Sequence, residues 1–242
     1  MTNDNFSRLF GGPPREPESE ITEREMDLAK SIQVVTQDIL IKMALHAKRL
    51  IGSDNLVLAG GVALNCVANG KLLRKNIFKN VWIQPASGDA GGALGAALYF
   101  YHGKMGMKRS SMIGTESIQG GSYWGPKYSN HEVKAYLDTS GLKYHKLNDN
   151  KRSKLVAKCL SQGKVVGNFY GRMEYGPRAL GSRSIIGDPR SVKTQSLMNL
   201  KIKYRESFRP FAPTVLEEDI KEYFEIECIS PYMLFVAPVK ET

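Results

Sequence analysis

Four arginines lie among glycines in one stretch, residues 167–190, which reads GNFYGRMEYGPRALGSRSIIGDPR. Guanidinium groups are always charged and can bind phosphate or carboxylate oxygens two at a time. The intervening glycines let the backbone approach a ligand closely. The stretch therefore predicts an anion-binding site, and the competing interpretation is a solvated basic turn.

The basic character continues to residue 209 through KIKYRESFRPFAP. Residues 164–209 hold ten Lys and Arg against three acidic residues, which accounts for +7 of the chain's net charge of +10. Such a concentration indicates a phosphorylated small molecule, a nucleic acid or an anionic membrane surface as partner. Aromatic residues between the cations would suit a nucleic-acid stacking surface. The Gly and Pro interruptions favour a pocket for a small molecule instead.

Composition places the protein among soluble globular proteins. The 242 residues, 42% of them hydrophobic, suffice for one large domain or two small ones, and we predict two. Three widely spaced cysteines without a CxxC motif argue against a disulfide framework or a zinc knuckle, and predict buried thiols in a reducing cytoplasm. The opening MTNDNFSRLF does not resemble a signal peptide, and no apolar run approaches the roughly 20 residues that span a bilayer.

Periodicity and turn signals predict the elements. Residues 1–19 are expected to be irregular, and a long amphipathic helix follows over 21–52, with Thr22 and Glu25 forming a capping box. Strands at 55–60 and 81–85 alternate with helices over 62–75 and after SGDAGG, so the first part is αβαβα. The second part is predicted to hold helices at 131–137, 152–160, 191–201 and 220–224, and strands at 143–147, 165–170, 214–216 and 233–239. The fold class is α/β.

Two glycine-rich segments, AGGVALN and SGDAGG, each join the end of a predicted strand to a helix. Free backbone N–H groups at such a helix start can bind phosphate. Tight packing of helix on strand is the alternative explanation. Asp89 is either a metal ligand or a helix-capping residue, and Asn65 or Asn69 could contact a ribose or base. The four histidines form no HxxxH or HExxH pair.

Taken in order, six motifs resemble the carbamoyltransferases typified by NodU, CmcH and TobZ: FGGPPR, AGGVALNCVANGKL, QPASGDAGGALGAAL, GRMEYGPRALGSRSIIGDPR, KIKYRESFRPFAP and SPYMLF. The resemblance implies half of an actin/hexokinase-type ATPase-like domain at residues 1–105. A linker at 106–122 and an incomplete YrdC-like α/β domain at 123–242 would follow.

The resemblance also implies a reaction. The YrdC-like domain would join carbamoyl phosphate and ATP into carbamoyl adenylate, and the other domain would pass the carbamoyl group to a hydroxyl of a sugar, an antibiotic or a Nod factor. Asp89 would bind a divalent metal, Fe, Mg or Mn. The nucleotide-binding residues would be Gly60, Gly61, Asn65, Gly88 and Gly91. The catalytic cations would be Arg172, Arg178, Arg183, Lys203, Arg205 and Arg209, with Glu174 as an orienting partner.

The family's phosphate loop, its HxxxH pair and its NTSFN-like segment have no counterpart in this sequence. The chain is therefore expected to be a piece of a longer protein, a truncated reading frame or one part of a split protein. It is expected to bind little metal alone and to work as a homodimer or with a complementing chain. A nucleic-acid-binding module and an inactive remnant are the alternative functions, and a membrane partner is not expected.

Overall fold

The computed structural model describes residues 3–109 and 119–241 of a mixed α/β chain. Its helices and strands are α1 (Asp4–Leu9), α2 (Glu23–Ile51), β1 (Asn55–Leu58), α3 (Cys66–Arg74), β2 (Asn80–Ile83), α4 (Ala90–Leu98), α5 (Asn130–Thr139), α6 (Asp149–Ser161), β3 (Val166–Phe169), β4 (Arg183–Ile186), α7 (Thr194–Met198) and α8 (Ile220–Tyr223). Part of the predicted linker, residues 110–118, lies outside the described residues. Across the described ranges, no helix combines the length and apolarity needed to cross a membrane.

The long helix α2 confirms the predicted helix and its capping box. The backbone N–H and the hydroxyl of Thr22 both donate to the Glu25 carboxylate, the former at 3.0 Å. The helix stops at Gly52, whose φ of 71° is in the left-handed region and whose N–H donates to the Lys48 carbonyl at 2.9 Å. Glycine adopts that conformation without a Cβ penalty, so it is a natural helix terminator.

The predicted αβαβα order is confirmed over α2, β1, α3, β2 and α4. β1 and β2 pair in parallel, with Val57 opposite Trp82 and Leu58 opposite Ile83. The predicted helix over 62–75 is divided into a 3-10 turn, Gly61–Leu64, and α3. Asn65 separates the two, because its side chain accepts the Ala68 N–H and starts a new helix there.

Several predicted elements of the remaining chain were wrong. Residues 143–147, 214–216 and 233–239 form no strands, and the last segment makes only an isolated bridge between Val239 and Phe224. β4 was not predicted, although it pairs antiparallel with β3 along its whole length. Residues 1–19 were expected to be irregular, but α1 forms there with Asn3 accepting the Phe6 N–H. The predicted helices that became α5, α6, α7 and α8 are present, and α7 continues into a π-helical turn, Asn199–Lys203.

Two small clusters of buried apolar residues hold the described chain together. In one, Ala44 of α2 packs with Leu72 and Phe78. In the other, Ala63 and Ile83 pack with two residues from near the C-terminus, Tyr232 and Leu234. The second cluster therefore joins the two predicted domains, whose boundaries stay a prediction. The three cysteines were predicted to be buried, but all of them are half-buried, unpaired thiols.

Candidate functional site

Two glycine-rich loops meet at the carboxyl ends of β1 and β2. They are residues 60–65, after β1, and residues 85–91, after β2. The N–H of Gly60 donates to the Ser87 carbonyl at 2.8 Å and joins them. Neighbouring parallel strands bring the loops at their carboxyl ends together, and such crevices commonly bind ligands in α/β proteins.

A third loop, residues 174–178 of the arginine stretch, docks on both of these loops. The hydroxyl of Tyr175 donates to the Ala90 carbonyl, and Nη2 of Arg178 donates to the Leu64 carbonyl at 3.1 Å. Between them Gly176, with φ of 127°, lies so close that an added Cβ would be 3.2 Å from the Pro85 carbonyl oxygen. We call these three loops the junction. Three motifs that are distant in the sequence, AGGVALN, SGDAGG and the arginine stretch, thus meet at one site.

The glycines of the junction have different physical explanations. Gly60 has a φ of 97°, and a Cβ on Gly91 would lie 2.1 Å from the Ala86 carbonyl oxygen, so local geometry requires both glycines. A Cβ on Gly61 would meet no atom within 4 Å, and one on Gly88 would make only an ordinary contact, 3.7 Å from Leu64. Packing does not require glycine at these two positions, whereas close approach of a ligand to the backbone would.

Two buried polar atoms in the junction segments lack a hydrogen-bond partner, Nε of Arg178 and Oγ of Ser87. A buried polar group without a partner costs about 1–3 kcal/mol, and more when it is charged. An anion oxygen would satisfy the guanidinium donor. The donor set of the junction therefore fits a phosphate or carboxylate group.

Glu174 shapes the loop that carries Arg178. Its Oε1 accepts the backbone N–H groups of Leu180 and Ser182, both at 2.8 Å, and of Arg183 at 3.2 Å. Burial raises the pKa of Glu174, but the hydrogen bonds from these N–H groups outweigh burial and hold the pKa below its usual value. Its carboxylate orders the backbone of the loop, whereas the sequence predicted that it would orient arginine side chains.

Arg172 and Arg183 tie the arginine stretch to residues 125–126. Arg172 donates to the Gly125 carbonyl at 3.0 Å. Arg183 lies 3.5 Å above the ring centroid of Phe169, and its guanidinium donates to four backbone carbonyls. Those carbonyls belong to Pro126, Tyr170, Gly171 and Ser182. These contacts hold the shape of the stretch.

The three remaining predicted cations lie together around residues 199–211. Lys203 ends the π-helical turn and is exposed. Arg205 donates to Oδ1 of Asn199 at 2.6 Å and lies 4.9 Å from the Phe211 ring centroid. Arg209 is 3.5 Å from the Glu206 carboxylate. Two concavities of the described chain are lined by Arg15, one of them together with Arg24, and none of the six predicted cations lines either of them.

The predicted asparagines are held by the protein itself. The amide of Asn65 exchanges two hydrogen bonds with the amide of Gln33, at 3.0 and 3.2 Å, besides capping α3. Asn69 is fully buried, and its Nδ2 donates to the Ala63 carbonyl at 2.8 Å and to the Leu234 carbonyl at 3.0 Å. Its contacts link the first glycine-rich loop to the C-terminal region.

Asp89 is exposed at the start of α4, and its side chain makes no capping hydrogen bond. Within residues 3–109 and 119–241, no three His, Cys, Asp or Glu side chains gather into a possible metal site. Asp89 would be a solitary ligand there. The described residues therefore do not fit a metal centre at this position.

Comparison with known proteins decides the family. The family model of the carbamoyltransferase N-terminus matches residues 1–98, and that of the carbamoyltransferase C-terminus matches residues 157–242. The chain belongs to the carbamoyltransferase family. It is 55% identical over 243 residues to an uncharacterized protein of Synechocystis, covering 100% of this chain and 39% of that protein.

Two other relatives of this carbamoyltransferase family member are nodulation proteins. It is 40% identical to NolNO of Sinorhizobium fredii, over 91% of this chain and 32% of the relative. It is 39% identical to NolO of Bradyrhizobium diazoefficiens, over 91% of this chain and 40% of the relative. The chain thus spans between about a third and two fifths of the length of the curated relatives it matches.

Sequence reasoning missed three contact residues of this carbamoyltransferase chain. Tyr175 and Ser87 belong to the junction, and Arg15 forms an ion pair with Glu206, 191 residues away. Arg15 is the last residue of the FGGPPR motif, so its presence in a family motif was the available signal. No sequence signal pointed to Tyr175 or Ser87. Tyr175 contacts a backbone carbonyl, that of Ala90, and Oγ of Ser87 has no hydrogen-bond partner.

Proposed function

We propose that the chain takes part in ATP-dependent O-carbamoyl transfer. Water would cleave carbamoyl phosphate to carbamate and phosphate, and carbamate would displace pyrophosphate from ATP to form carbamoyl adenylate. A hydroxyl of a small-molecule acceptor would then take the carbamoyl group and release AMP. Sugars, antibiotics and Nod-factor-like molecules are the acceptor classes. Membership of the carbamoyltransferase family supports this reaction. The proposal rests on one observation above all, the docking of Tyr175 and Arg178 onto both glycine-rich loops.

The junction offers the contacts that a nucleotide phosphate needs. ATP, when bound, supplies the adenylyl group and makes pyrophosphate the leaving group. Gly61 and Gly88 leave the backbone accessible, because a Cβ on Gly61 would meet no atom within 4 Å and one on Gly88 would lie 3.7 Å from Leu64. Nε of Arg178 faces no protein acceptor and would donate to an anionic oxygen. Gly60 and Gly91 keep the two loops in this arrangement.

Fixed positive charge is the natural catalyst for such a reaction, because negative charge moves between phosphoryl and carbamoyl oxygens in the transition state. Hydrogen bonds to backbone carbonyls already hold the charges of Arg172 and Arg183 near the loop that presents Arg178, and the Leu64 carbonyl holds Arg178 itself, so little reorganisation is needed when a substrate binds at Arg178. Loss of one preorganised donor typically costs about 10²–10³ in rate. Lys203, Arg205 and Arg209 would provide a second cationic group for carbamoyl phosphate.

No step of this proposal depends on a metal, since Asp89 lacks partner ligands among the described residues. The proposed partners are ATP, carbamoyl phosphate, the hydroxylated acceptor, and a second copy or complementing chain. The contribution of this chain would be the binding of anions and the positioning of the nucleotide.

The test follows pyrophosphate release from ATP and carbamoyl phosphate. Arg178→Ala and Arg205→Ala should each abolish the signal, whereas Arg49→Ala, on the exposed side of α2, should leave it unchanged. No release by the wild-type chain, either alone or with a complementing chain, would indicate an inactive remnant. Unchanged release in both arginine variants would remove these residues from the site.

A further inference from the structure

Arg15 makes a long-range ion pair with Glu206, and the two side chains are only 16% and 27% exposed. Nη2 of Arg15 donates to Oε1 of Glu206. Nη1 of Arg15 donates to the Glu16 carbonyl at 3.0 Å and to the Ser19 carbonyl, so both terminal nitrogens are engaged. Water and salt screen a partly buried ion pair less than an exposed one. The contact therefore ties the FGGPPR motif firmly to the KIKYRESFRPFAP motif.

The second oxygen of Glu206 faces Arg209. Oε2 of Glu206 lies 3.5 Å from Nη2 of Arg209, which is close enough for charge attraction but too long for a strong hydrogen bond. The Arg209 side chain is 52% exposed, and no hydrogen bond to the residues described by the structure uses its guanidinium. Arg209 therefore keeps its donors for a ligand, although a carboxylate lies beside it.

The backbone that carries Arg209 is held by side chains other than Arg15. Nδ2 of Asn199 donates to the Arg209 carbonyl at 2.7 Å and to the Ser207 carbonyl at 3.0 Å. Nε2 of Gln195 donates to the Arg209 carbonyl at 3.1 Å. Asn199 is fully buried, so these hydrogen bonds are protected from water. Loss of Arg15 would therefore change the charges around Arg209 while this backbone stays in place.

Glu206 has one negative charge and two guanidinium groups within reach. Arg15 holds the carboxylate by a hydrogen bond, and Arg209 stays at the longer distance. A partly buried carboxylate that loses its hydrogen-bonded counter-ion is costly, so it would turn to another cation. An approach of about 0.7 Å would bring Arg209 to the usual distance of a charge-assisted hydrogen bond. The donors of Arg209 would then be directed at Glu206 and not at a ligand.

We propose that Arg15 is a positioning residue for Arg209. The Arg15 guanidinium occupies the Glu206 carboxylate, which leaves Arg209 free to donate to an oxygen of a phosphate-bearing anion. Arg15 touches no reacting atom and acts through Glu206. The inference rests on the proposed function, in which Arg209 belongs to the cationic group that binds carbamoyl phosphate. It gives the FGGPPR motif a role in anion binding near the other end of the chain.

The test measures the binding of inorganic phosphate at Arg209. The Nε–Hε resonance of Arg209 is assigned in the isotope-labelled chain by its absence from Arg209→Gln, and phosphate is titrated while that resonance is followed by NMR. The variants are Arg15→Gln, Glu206→Gln and the two substitutions combined. The matched control is Arg8→Gln, which also removes one positive charge. Arg8 is exposed on α1 and donates to Asn5 of the same helix.

Arg15→Gln should weaken phosphate binding at Arg209 by about tenfold, which is the affinity that one hydrogen bond to a charged group provides. The combined variant should bind phosphate nearly as tightly as wild type, because the carboxylate that competes for Arg209 is gone. Glu206→Gln alone should bind at least as tightly as wild type, and Arg8→Gln should bind like wild type. Restoration by a second substitution separates this role from a structural one, since a structural contact stays broken in the combined variant.

A combined variant that binds phosphate as weakly as Arg15→Gln would identify a structural role and overturn the proposal. An Arg15→Gln chain that binds like the control, or a wild-type Arg209 resonance that does not respond to phosphate, would also overturn it. If Arg15→Gln does not fold, weaker binding by Glu206→Gln than by wild type would overturn it alone. Phosphate binding requires no turnover. Absent pyrophosphate release alongside the expected phosphate affinities would therefore count against the proposed reaction and not against the role of Arg15.

Discussion

Gly70 of α3 provides the sharpest stability prediction. The helix lies against the chain segment around Val236, and a Cβ on Gly70 would be 2.1 Å from the Val236 carbonyl oxygen. Ordinary contact begins near 3.4 Å, so Gly70→Ala forces these two backbones apart by about 1 Å. The neighbouring Leu234 is only 3% exposed and anchors the segment in the core, which prevents an inexpensive displacement.

The displacement acts on two hydrogen bonds. The Val236 N–H donates to the Cys66 carbonyl at 3.1 Å, and Arg74 donates to the Val236 carbonyl at 2.9 Å. Overpacking costs about 1–3 kcal/mol, and each net hydrogen bond is worth about 1 kcal/mol. Gly70→Ala should therefore lower the free energy of unfolding by about 2–5 kcal/mol, although alanine is the better helix former by up to about 1 kcal/mol.

Urea unfolding followed by circular dichroism measures the effect. The control is Gly92→Ala in α4, where an added Cβ would meet no atom within 4 Å. In the control chain, helix propensity alone should change the free energy of unfolding, so the control should be as stable as wild type or up to about 1 kcal/mol more stable. A Gly70→Ala chain that matches the control would refute the claim that the C-terminal region is packed on α3.

Three further predictions concern charge. Glu174→Gln should destabilise the chain by about 1–3 kcal/mol, because a neutral amide oxygen accepts hydrogen bonds less strongly than a carboxylate, and Glu222→Gln on the surface of α8 should change little. Folding lowers the pKa of Glu174, so the stability that its carboxylate contributes is fully present above the unfolded-state pKa near 4.5 and is lost as pH falls through the folded-state pKa. Urea midpoints measured between pH 7 and 3 should show this loss of stability in wild type, and the Glu174→Gln chain should lack this part of the pH dependence. The Asp188 carboxylate accepts hydrogen bonds from the side chain and the backbone N–H of Arg190, and its pKa measured by NMR should be about 2. Arg190→Gln should raise the pKa of Asp188, and an unchanged pKa would contradict the pairing. Binding to a generic oligonucleotide should be weak, whereas micromolar binding that falls by about 10³ between 50 and 200 mM salt would favour the nucleic-acid alternative over a small-molecule pocket.

Local signals in the sequence predicted the elements that local physics determines. The capping box, the terminating Gly52 and the apolar periodicity define α2, and two short apolar runs define β1 and β2. Periodicity alone could not show which side of α2 faces the core. The stripe through Ile39 and Met43 has the clearest period, yet it is exposed, while Leu40 and Ala44 on another side make the internal contacts.

Strands that depend on distant partners were predicted less well. Residues 233–239 have an apolar composition typical of a strand, but they pack on α3 and on Ala63 through side chains and isolated hydrogen bonds. β4 lies inside a stretch rich in Gly and Arg, and it exists because β3 pairs with it. The contact of Arg178 with Leu64 spans 114 residues, so no local pattern could have revealed it.

The predicted cations differ in how many of their donors the protein already uses, and this difference separates structural from ligand-binding roles. Arg183 directs its guanidinium at four backbone carbonyls and stacks on Phe169, so it has little capacity left for a substrate. Arg178 makes one hydrogen bond, at the edge of the two glycine-rich loops, and its buried Nε has no partner. A buried charged donor is costly unless something satisfies it, and Oγ of Ser87 is a second buried atom without a partner in the junction segments. The anion proposed for this chain is therefore placed most directly at Arg178, with Arg183 and Glu174 maintaining the loop that presents it.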